Sequence, residues 1–399
     1  MSTKVRMPTI EALVTPKVVR WARQRAGLST AEVAKRINVT QPNRLDAWER
    51  EGVEDRPTFR QAQHLAAVLH IPFGYLFLSE PPTEELPLPD LRTKRGLVGM
   101  KPSPEFLEVV YDALRKQEWY HDYLQDEDAD PVPFVGLYTE TTPVETVAED
   151  IRRTLRLDQS LRRQAQDNDD YFRLLVGRAE EARVLVLRTS IVGNNTHRPL
   201  DPEEFQGFAK SDNLAPLVFV NQNDYLSAQI FTLLHELAHI WIGISGVSDR
   251  GYLDRPDNEA AIHQQRADQI AAEALVPASD FGLRWDSYRY EEDRLDQLHS
   301  HYRVSRFVLL RRAYDLGKLS VAEYRSSYDE LRQQIRPKKS PGGGGGYSSL
   351  FSRNSYAVTT AVLHSVLEGK LAPTEAATLL NVRPSTLYNM QRYLASRGA

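Results

Sequence analysis

Cysteine is absent from this 399-residue sequence, and its absence narrows the chemistry that the protein can perform. Without a thiol the chain forms no disulfide bond, has no cysteine nucleophile and offers no thiolate ligand to zinc. A metal ion would therefore have to be bound by histidine, by carboxylates or by amide oxygens.

Long apolar runs and a strong excess of one charge are also missing. No apolar stretch reaches the roughly 18 residues that a membrane-spanning helix needs, and residues 1–14 lack the apolar core of a signal peptide. We therefore expect a cytoplasmic protein that does not contact a membrane. The net charge of −4 argues against a protein that covers nucleic acid with its whole surface. Residues 1–80 nevertheless carry 12 lysines and arginines against 8 acidic residues.

Two segments rich in proline or glycine divide a chain that is too long for one hydrophobic core. Prolines in the first segment favour extended backbone, and five consecutive glycines in the second cannot form a packed element. We predict an N-terminal domain over 1–80, a linker over 81–103, a central domain over 104–335, a linker over 336–347 and a C-terminal helical domain over 348–399.

Hydrophobic periodicity predicts a mainly helical protein with a small β-sheet. Residues 183–192 and 216–223 are short runs of β-branched and aliphatic residues, which indicate buried strands. The rest of the central region has a helical pattern. The expected fold class is therefore mainly α, with an α+β central core between an all-α N-terminal domain and a small C-terminal helical domain.

The N-terminal region has the sequence pattern of a helix-turn-helix. A first helix ends at Gly27, where a left-handed residue is tolerated. Ser29 and Glu32 have the spacing of a capping box for a second helix, and the turn to a third helix falls at Asn38 and Val39. The inward-facing apolar residues of the three helices are Val18, Val19, Trp21, Ala22, Val33, Ala34, Ile37, Leu45 and Trp48.

Residues 16–80, including the ending WEREG, resemble the helix-turn-helix family typified by phage repressors. The resemblance implies that the third helix enters the major groove of operator DNA, with Gln41, Asn43 and Arg44 at base edges or phosphates. Because acidic residues share this helix, an alternative stays open in which the bundle contacts only proteins.

The segment AQIFTLLHELAHIWIG contains the most informative pattern in the chain. His235 and His239 are four residues apart on an apolar helix, so both imidazoles face the same side and can bind one zinc ion. Glu236 can then accept a proton from a zinc-bound water during attack on a peptide carbonyl. A charged glutamate in so apolar a helix is costly without a function, which favours a zinc site over two core histidines.

The third zinc ligand departs from the thermolysin-like pattern. In that pattern a later helix supplies a glutamate and, four residues on, an acid that hydrogen-bonds a zinc-binding histidine. Asp268 fits the acid, but Gln264 stands at the ligand position, and a neutral amide oxygen is a poorer zinc ligand than a carboxylate. Gln264 is our first choice of ligand. His263 or Glu259 as the ligand, and a site without metal that serves as a scaffold, remain open.

Four blocks of the central region resemble the ImmA/IrrE family of metallopeptidases, which includes a radiation-response regulator and phage-immunity proteases. The resemblance extends over roughly residues 140–335. It implies that His235 and His239 bind zinc and that Glu236 is the general base, with Gln264 at the family's third ligand position. The four blocks are FQGFAKSD, PLVFVNQND, FTLLHELAHIWIG and ADQIAAEALVP.

The resemblance implies a regulatory zinc-dependent endopeptidase that cleaves one specific protein, a repressor or partner, and is coupled to a DNA-binding module. We expect a strand such as Leu217–Val220 to pair with the extended peptide substrate. The alternative is a non-catalytic antitoxin or transcriptional regulator that neutralises a partner toxin by binding and has a degenerate metal site. Both functions are compatible with a homodimer.

The C-terminal region has the pattern helix, helix, turn, helix. Pro373 begins a helix that ends near Asn381 and Val382, and Pro384 begins the last helix. Two interpretations are open: a small bundle that packs on the central domain or a partner, or a second helix-turn-helix. The contact residues of the second interpretation are Arg383, Ser385, Thr386 and Tyr388.

Overall fold

The computed structural model describes residues 10–39, 41–92, 101–248, 259–288, 291–334 and 346–396. These residues form two compact units, Met1–Glu85 with Pro102–Pro104 and Leu86–Lys101 with Glu105–Ala399. Both are mainly helical, and the second contains a small sheet, which confirms the expected fold class. Most of the glycine-rich linker predicted at 336–347 lies outside the described residues. No helix in the described ranges combines the length and apolar character that a membrane crossing requires.

The N-terminal unit is a helical bundle whose local structure follows the sequence signals. Gly27 has a φ of 64° and lets the chain turn after the first helix, and Ser29 and Glu32 form the expected capping box. Asn38 in the next turn also has a left-handed backbone. The helices are α1 (Pro16–Arg25), α2 (Thr30–Arg36), α3 (Pro42–Trp48) and α4 (Phe59–Leu69), followed by a 3-10 helix (Phe73–Phe77).

A buried ion pair fixes the end of α3 in this bundle. Arg23 on α1 donates two hydrogen bonds to the Glu49 carboxylate, at 2.6 and 2.9 Å. Arg20 donates a further bond to the Glu49 carbonyl oxygen at 2.6 Å. Glu49 is buried, so its charge has a structural role and does not face solvent.

The second unit is built around a four-stranded sheet with the strand order β1-β5-β4-β6, and a separate hairpin is formed by β2 and β3. The fifth strand pairs in parallel with the first and antiparallel with the fourth, which pairs antiparallel with the sixth. The two strand predictions are thereby confirmed. The strands are β1 (Leu185–Thr189), β2 (Ile191–Val192), β3 (Asn195–Pro199), β4 (Gly207–Lys210), β5 (Leu217–Asn221) and β6 (Gly246–Ser248).

The prediction that Leu217–Val220 pairs with a substrate peptide is wrong for this structure. These residues belong to β5, which has hydrogen-bonded neighbours on both sides and therefore no free edge. The run Leu-Val-Phe-Val is buried on both faces, the pattern of an interior strand. The apolar pattern predicted the strand correctly, but position within the sheet depends on its long-range partners.

The outer edge of β6 is occupied by the segment that follows the N-terminal unit in sequence. The amide of Leu91 donates to the Val247 carbonyl at 3.1 Å, and the amide of Val247 donates to the Pro89 carbonyl at 3.0 Å. The Leu91 side chain lies over Gly246, where an added Cβ would approach it to 2.4 Å. Part of the predicted linker is thus paired with the central sheet.

Helices cover both faces of the sheet. Alternate residues of β1 and β5 contribute to two apolar clusters, one on the face of α9 and the other on the face of α5. The helices of this unit are α5 (Pro104–Asp126), α6 (Val144–Thr154), α7 (Gln159–Gln164), α8 (Asn168–Glu181), α9 (Leu226–Trp241), α10 (Glu259–Leu275), α11 (Ala278–Ser287), α12 (Glu291–Tyr302), α13 (Arg306–Asp315), α14 (Val321–Gln334), α15 (Tyr347–Asn354), α16 (Tyr356–Leu367), α17 (Pro373–Leu379) and α18 (Pro384–Ala395).

The C-terminal helices α15–α18 pack on the α5 face and belong to the same compact unit as the central region. Glu180 on α8 accepts hydrogen bonds from the Ser355 hydroxyl at 2.6 Å and from the Tyr356 amide at 2.9 Å. It thereby caps the start of α16. The region that we separated as 348–399 is therefore docked on the central region through its apolar face.

Candidate functional site

Helix α9 lies in the interior of the second unit and carries His235, Glu236 and His239, the predicted metal-binding and catalytic residues. Its residues from Ala228 to Trp241 are buried all round, so the helix is held by packing rather than by an exposed polar face. Its C-terminal end is anchored by Trp241, whose indole N–H donates to Asp150 at 2.9 Å and whose ring stacks on Phe134. This packing fixes the direction of His235, Glu236 and His239.

The two imidazoles point their Nε2 atoms at each other, 3.1 Å apart. Two nitrogens bound to one tetrahedral zinc ion would lie about 3.3 Å apart, so the pair converges as a shared ion requires. The Nδ1 atom of His235 lies 2.8 Å from the Asp268 carboxylate. Burial, with a contribution from His235, lowers the pKa of His239 well below its usual value and keeps that imidazole neutral.

Glu236 is fully buried beside this pair. Its Oε2 accepts a hydrogen bond from the Ser248 hydroxyl at 3.3 Å, whereas its Oε1 has no hydrogen-bond partner among the described residues. Burial raises the pKa of Glu236 to about 8. In the absence of a nearby cation, this carboxyl group is therefore mostly protonated at neutral pH.

Gly207 on β4 gives the Glu236 carboxyl group its space. An added Cβ at this position would lie 2.7 Å from Glu236 Oε1, 2.7 Å from a methyl carbon of Thr232 and 2.8 Å from the Phe219 carbonyl oxygen. A side chain at 207 would have to displace backbone as well as the carboxylate. The close approach of β4 to α9 therefore requires glycine.

Gln264 on α10 enters the same group of contacts. Its Nε2 donates to the Ser248 hydroxyl at 3.2 Å, and its Oε1 is buried without a hydrogen-bond partner in the described ranges. The neighbouring His263 pairs instead with the carboxylate of Glu140. Glu259 is the first residue of α10, but its side chain is outside the described part of the chain.

Ser248 is the site residue that the sequence analysis missed. It lies on the three-residue strand β6 and reaches the site because β6 pairs with β4 in a register that sets Ser248 opposite Gly207. Its hydroxyl group links Glu236 and Gln264 through hydrogen bonds. A local sequence pattern does not predict such a residue, because its position in the site depends on strand pairing.

The residues around α9 include two converging nitrogen donors and one buried neutral oxygen, donor types that zinc accepts. His235 and His239 supply the converging Nε2 atoms, and Gln264 Oε1 is the buried oxygen left over after its amide nitrogen is used. In the described ranges no group of three or more histidine, aspartate or glutamate side chains is placed to hold a metal ion. The fit therefore depends on an amide oxygen, which binds zinc more weakly than a carboxylate.

The residues predicted to contact DNA lie at the start of α3. Gln41 and Asn43 are exposed. Arg44 donates two hydrogen bonds to Asp55, at 3.0 and 2.7 Å, and its guanidinium group lies over the ring of Trp48. The charge of Arg44 is thus already compensated within the N-terminal unit.

Comparison with known proteins supports the central part of the sequence interpretation. Residues 179–314 match the family model of the IrrE N-terminal-like domain, a metallopeptidase family. Residues 354–393 match a domain of unknown function (DUF8813). No curated protein and no solved structure matches the chain. The region that contains β1, β5, α9 and α10 is therefore similar to the IrrE-type metallopeptidase domain.

Proposed function

We propose that this protein is a regulatory zinc-dependent endopeptidase that cleaves a specific protein, a repressor or a partner. The observation that carries the proposal is the convergence of His235 Nε2 and His239 Nε2 at 3.1 Å beside the fully buried Glu236. The match of residues 179–314 to a metallopeptidase family supports the same chemistry.

Each residue has a distinct role in this proposal. Asp268 accepts the Nδ1 proton of His235 and so directs the lone pair of Nε2 toward the shared ion position. His239 and Gln264 Oε1 complete the set of ligands. When bound, zinc would polarise the peptide carbonyl and acidify the attacking water. Glu236 takes the proton of that water and delivers it to the leaving amine.

The surroundings of the site favour a narrow substrate range. All of His235, Glu236, His239 and Gln264 are buried, so an arbitrary peptide has no direct access to them. The edge of β4 that passes Glu236 is paired with β6. A substrate strand must therefore replace or reposition β6. A substrate protein that also binds a second surface of the chain can supply the free energy needed to displace this strand.

The N-terminal unit supplies the proposed link to operator DNA. Gln41 and Asn43 are exposed on α3 and can contact base edges, whereas Arg44 would first have to leave Asp55. In this proposal the unit brings the peptidase to a DNA-bound protein.

Metal binding and cleavage can be tested separately. Zinc titration of the purified chain should give one site, which His239→Ala removes and His197→Ala, a substitution at an exposed hairpin histidine, leaves unchanged. N-terminal labelling of a cell extract should then show a few new protein termini with the wild type that are absent with Glu236→Gln. Identical termini with both proteins would refute the peptidase, whatever the zinc content.

A non-catalytic regulator is the second candidate, and two contacts favour it. The Ser248 hydroxyl already satisfies one Glu236 oxygen and the Gln264 amide nitrogen without a metal ion. The protein would then act by binding, as an antitoxin that neutralises a partner toxin or as a repressor, with the former metal site as part of the core. Absence of zinc binding in the same titration, with a wild-type thermal transition that is the same with and without added zinc, would select this candidate.

A further inference from the structure

The last described part of the chain differs from the whole in charge. Residues 376–396 contain two arginines and no acidic residue, although the chain as a whole has a net charge of −4. We propose that α18, within this segment, binds double-stranded DNA through its solvent-facing side. The inference does not depend on the peptidase activity.

The connection between α17 and α18 has the length of the turn in a helix-turn-helix. Only four residues separate α17 from α18, and Asn381 among them has a φ of 53°. A short turn of this kind between two packed helices is characteristic of the motif. The α2–α3 and α17–α18 connections share one residue pattern: two small apolar residues, then an apolar residue followed by asparagine and valine, and a proline where the next helix starts. The residues are Val33, Ala34, Ile37, Asn38, Val39 and Pro42 in the first connection and Ala376, Ala377, Leu380, Asn381, Val382 and Pro384 in the second.

The inner side of α18 packs against the rest of the second unit. This packing holds the helix rigidly and leaves its outer side exposed to solvent. Leu387, Met390 and Leu394 are buried in the apolar cluster shared with α5 and the sheet. The turn before the helix is anchored by Asn381, whose side-chain amide donates to Asp112 at 2.8 Å. Docking on the central region and DNA binding therefore use opposite sides of the helix.

The outer side carries groups that recognise DNA. Arg383, Ser385, Asn389 and Arg392 are exposed, and Tyr388 is 64% exposed, unusual for so large a ring. Arginines bind phosphates and guanine edges, while serine, asparagine and tyrosine donate hydrogen bonds to phosphates or bases. These residue types, on α18 and at the residue directly before it, are suited to a groove of duplex DNA.

A comparison with α3 strengthens the assignment. Arg44 on α3 is paired with Asp55, and Asp46 lies on the same helix. α18 itself contains no aspartate or glutamate, so a polyanion meets no like charge on this helix. We infer that α18 contributes more to the affinity for duplex DNA than α3 does.

The test measures binding of the full chain to a fluorescent duplex of mixed sequence, by anisotropy at several salt concentrations. The background carries Gln41→Ala and Asn43→Ala, so that α3 contributes little. Adding Arg383→Gln with Arg392→Gln should weaken binding at low salt by at least tenfold and reduce the salt slope by about two, because two phosphate contacts are lost.

The matched control replaces two exposed arginines on α14, Arg325→Gln with Arg332→Gln, which removes the same charge. The control should bind DNA like the background, and thermal melting should show that all variants are folded. If the α18 variant binds like the control, or if the background shows no salt-dependent binding, the inference is wrong. The exposed side of α18 is in that case a surface for a protein partner.

Discussion

At the scale of single residues, the candidate site is a group of buried polar atoms that lack hydrogen-bond partners in the described ranges. They are Glu236 Oε1, His239 Nδ1 and Gln264 Oε1. Leaving such an atom unsatisfied costs about 1–3 kcal/mol. Glu236 Oε1 and Gln264 Oε1 belong to side chains that both bond to Ser248, so these two oxygens mark a place that a ligand or ion would complete. His239 Nδ1 is the ring nitrogen that points away from the converging Nε2 atoms, and an ion held by Nε2 would not satisfy it. In the proposed zinc site, Gln264 would be the ligand that limits the affinity for the ion.

Replacing Gln264 with glutamate tests its position as third ligand. Gln264→Glu should raise zinc affinity by about tenfold or more, because a carboxylate compensates the charge of the ion. Changing a residue that only hydrogen-bonds a metal ligand already alters metal affinity by about tenfold. Competition with a chromophoric chelator measures the effect, and Gln333→Glu on the exposed side of α14 is the control. Equal affinities for the variant and the wild type would exclude residue 264 from the ligand set.

Gly207 provides a test of the contact between β4 and α9. Gly207→Ala should destabilise the second unit by about 1–3 kcal/mol, because the new methyl group meets Glu236 and the Phe219 carbonyl oxygen. Urea unfolding measures the change. Gly177→Ala is the matched control, since nothing lies within 4 Å of an added Cβ there and α8 should be stabilised. Equal stabilities for the two variants would contradict the close contact.

The raised pKa of Glu236 predicts how stability depends on pH without metal. A carboxyl group whose pKa is higher in the folded state than its usual 4.5 stabilises the fold most at low pH, and this contribution is lost as pH rises through about 8. His239, whose pKa is lowered, opposes this trend only below its usual value of 6.5. Between pH 6.5 and 8, the melting temperature of the metal-free protein should fall.

Thermal melting of Glu236→Gln in the same buffers is the control for this prediction. Glutamine does not titrate, so the fall between pH 6.5 and 8 should become clearly smaller than in the wild type. A fall of the same size in both proteins would show that other groups cause it.

At the scale of secondary-structure elements, the short strand β6 determines the form of the site. It brings Ser248 to Glu236 and Gln264, and it covers the edge of β4. A three-residue strand has little intrinsic stability. Its position therefore depends on pairing with Pro89–Leu91 and on the contact of Leu91 with Gly246.

Breaking this pairing should loosen the segment before α5. Val247→Pro removes the amide that donates to the Pro89 carbonyl, so hydrogen exchange at the Leu91 amide should accelerate by at least about tenfold. Mass spectrometry of peptides that cover Leu91 measures the rate. Val247→Ala also loses core packing but keeps the backbone donor, so the Leu91 amide should exchange more slowly in it than in the proline variant. Unchanged exchange in the proline variant would mean that the segment is held by other contacts.

At the scale of the whole molecule, the C-terminal helices complete the core of the second unit. Their apolar residues share one cluster with Leu185, Leu187, Leu217 and Phe219 on one face of the sheet. Without these helices a large part of that face would be exposed to water, and apolar burial contributes about 25 cal/mol per Å². The C-terminal region is therefore needed for the stability of the central region.

Truncation after Gln334 tests this dependence. Calorimetry of the truncated chain should show a lower melting temperature for the second unit, by several degrees or more, with the transition of the N-terminal unit unchanged. Removal of residues 1–85 is the reciprocal control and should leave the transition of the second unit near its full-length value. An unshifted second transition after C-terminal truncation would contradict a shared core.

Local patterns predicted a large part of the fold and most residues of the candidate site. Features that depend only on residues close together in the sequence were predicted correctly. They are the capping box at Ser29, the strands β1 and β5, and the spacing of His235 and His239 on one helix. The pairing of Arg44 with Asp55 and the insertion of Ser248 depend on residues that are brought together by the fold. Periodicity does not encode such pairs, because it describes one element at a time.

The sequence alone determined which chemistry is available: two histidines and a glutamate on one buried helix, a glutamine where a carboxylate is usual, and no thiol. Only the tertiary structure decided that β5 is interior, that β6 covers the edge beside Glu236, and that α18 turns an acid-free side to solvent. The physical reason is that side-chain chemistry and helical spacing are local properties, whereas burial and edge occupancy are set by contacts between distant segments.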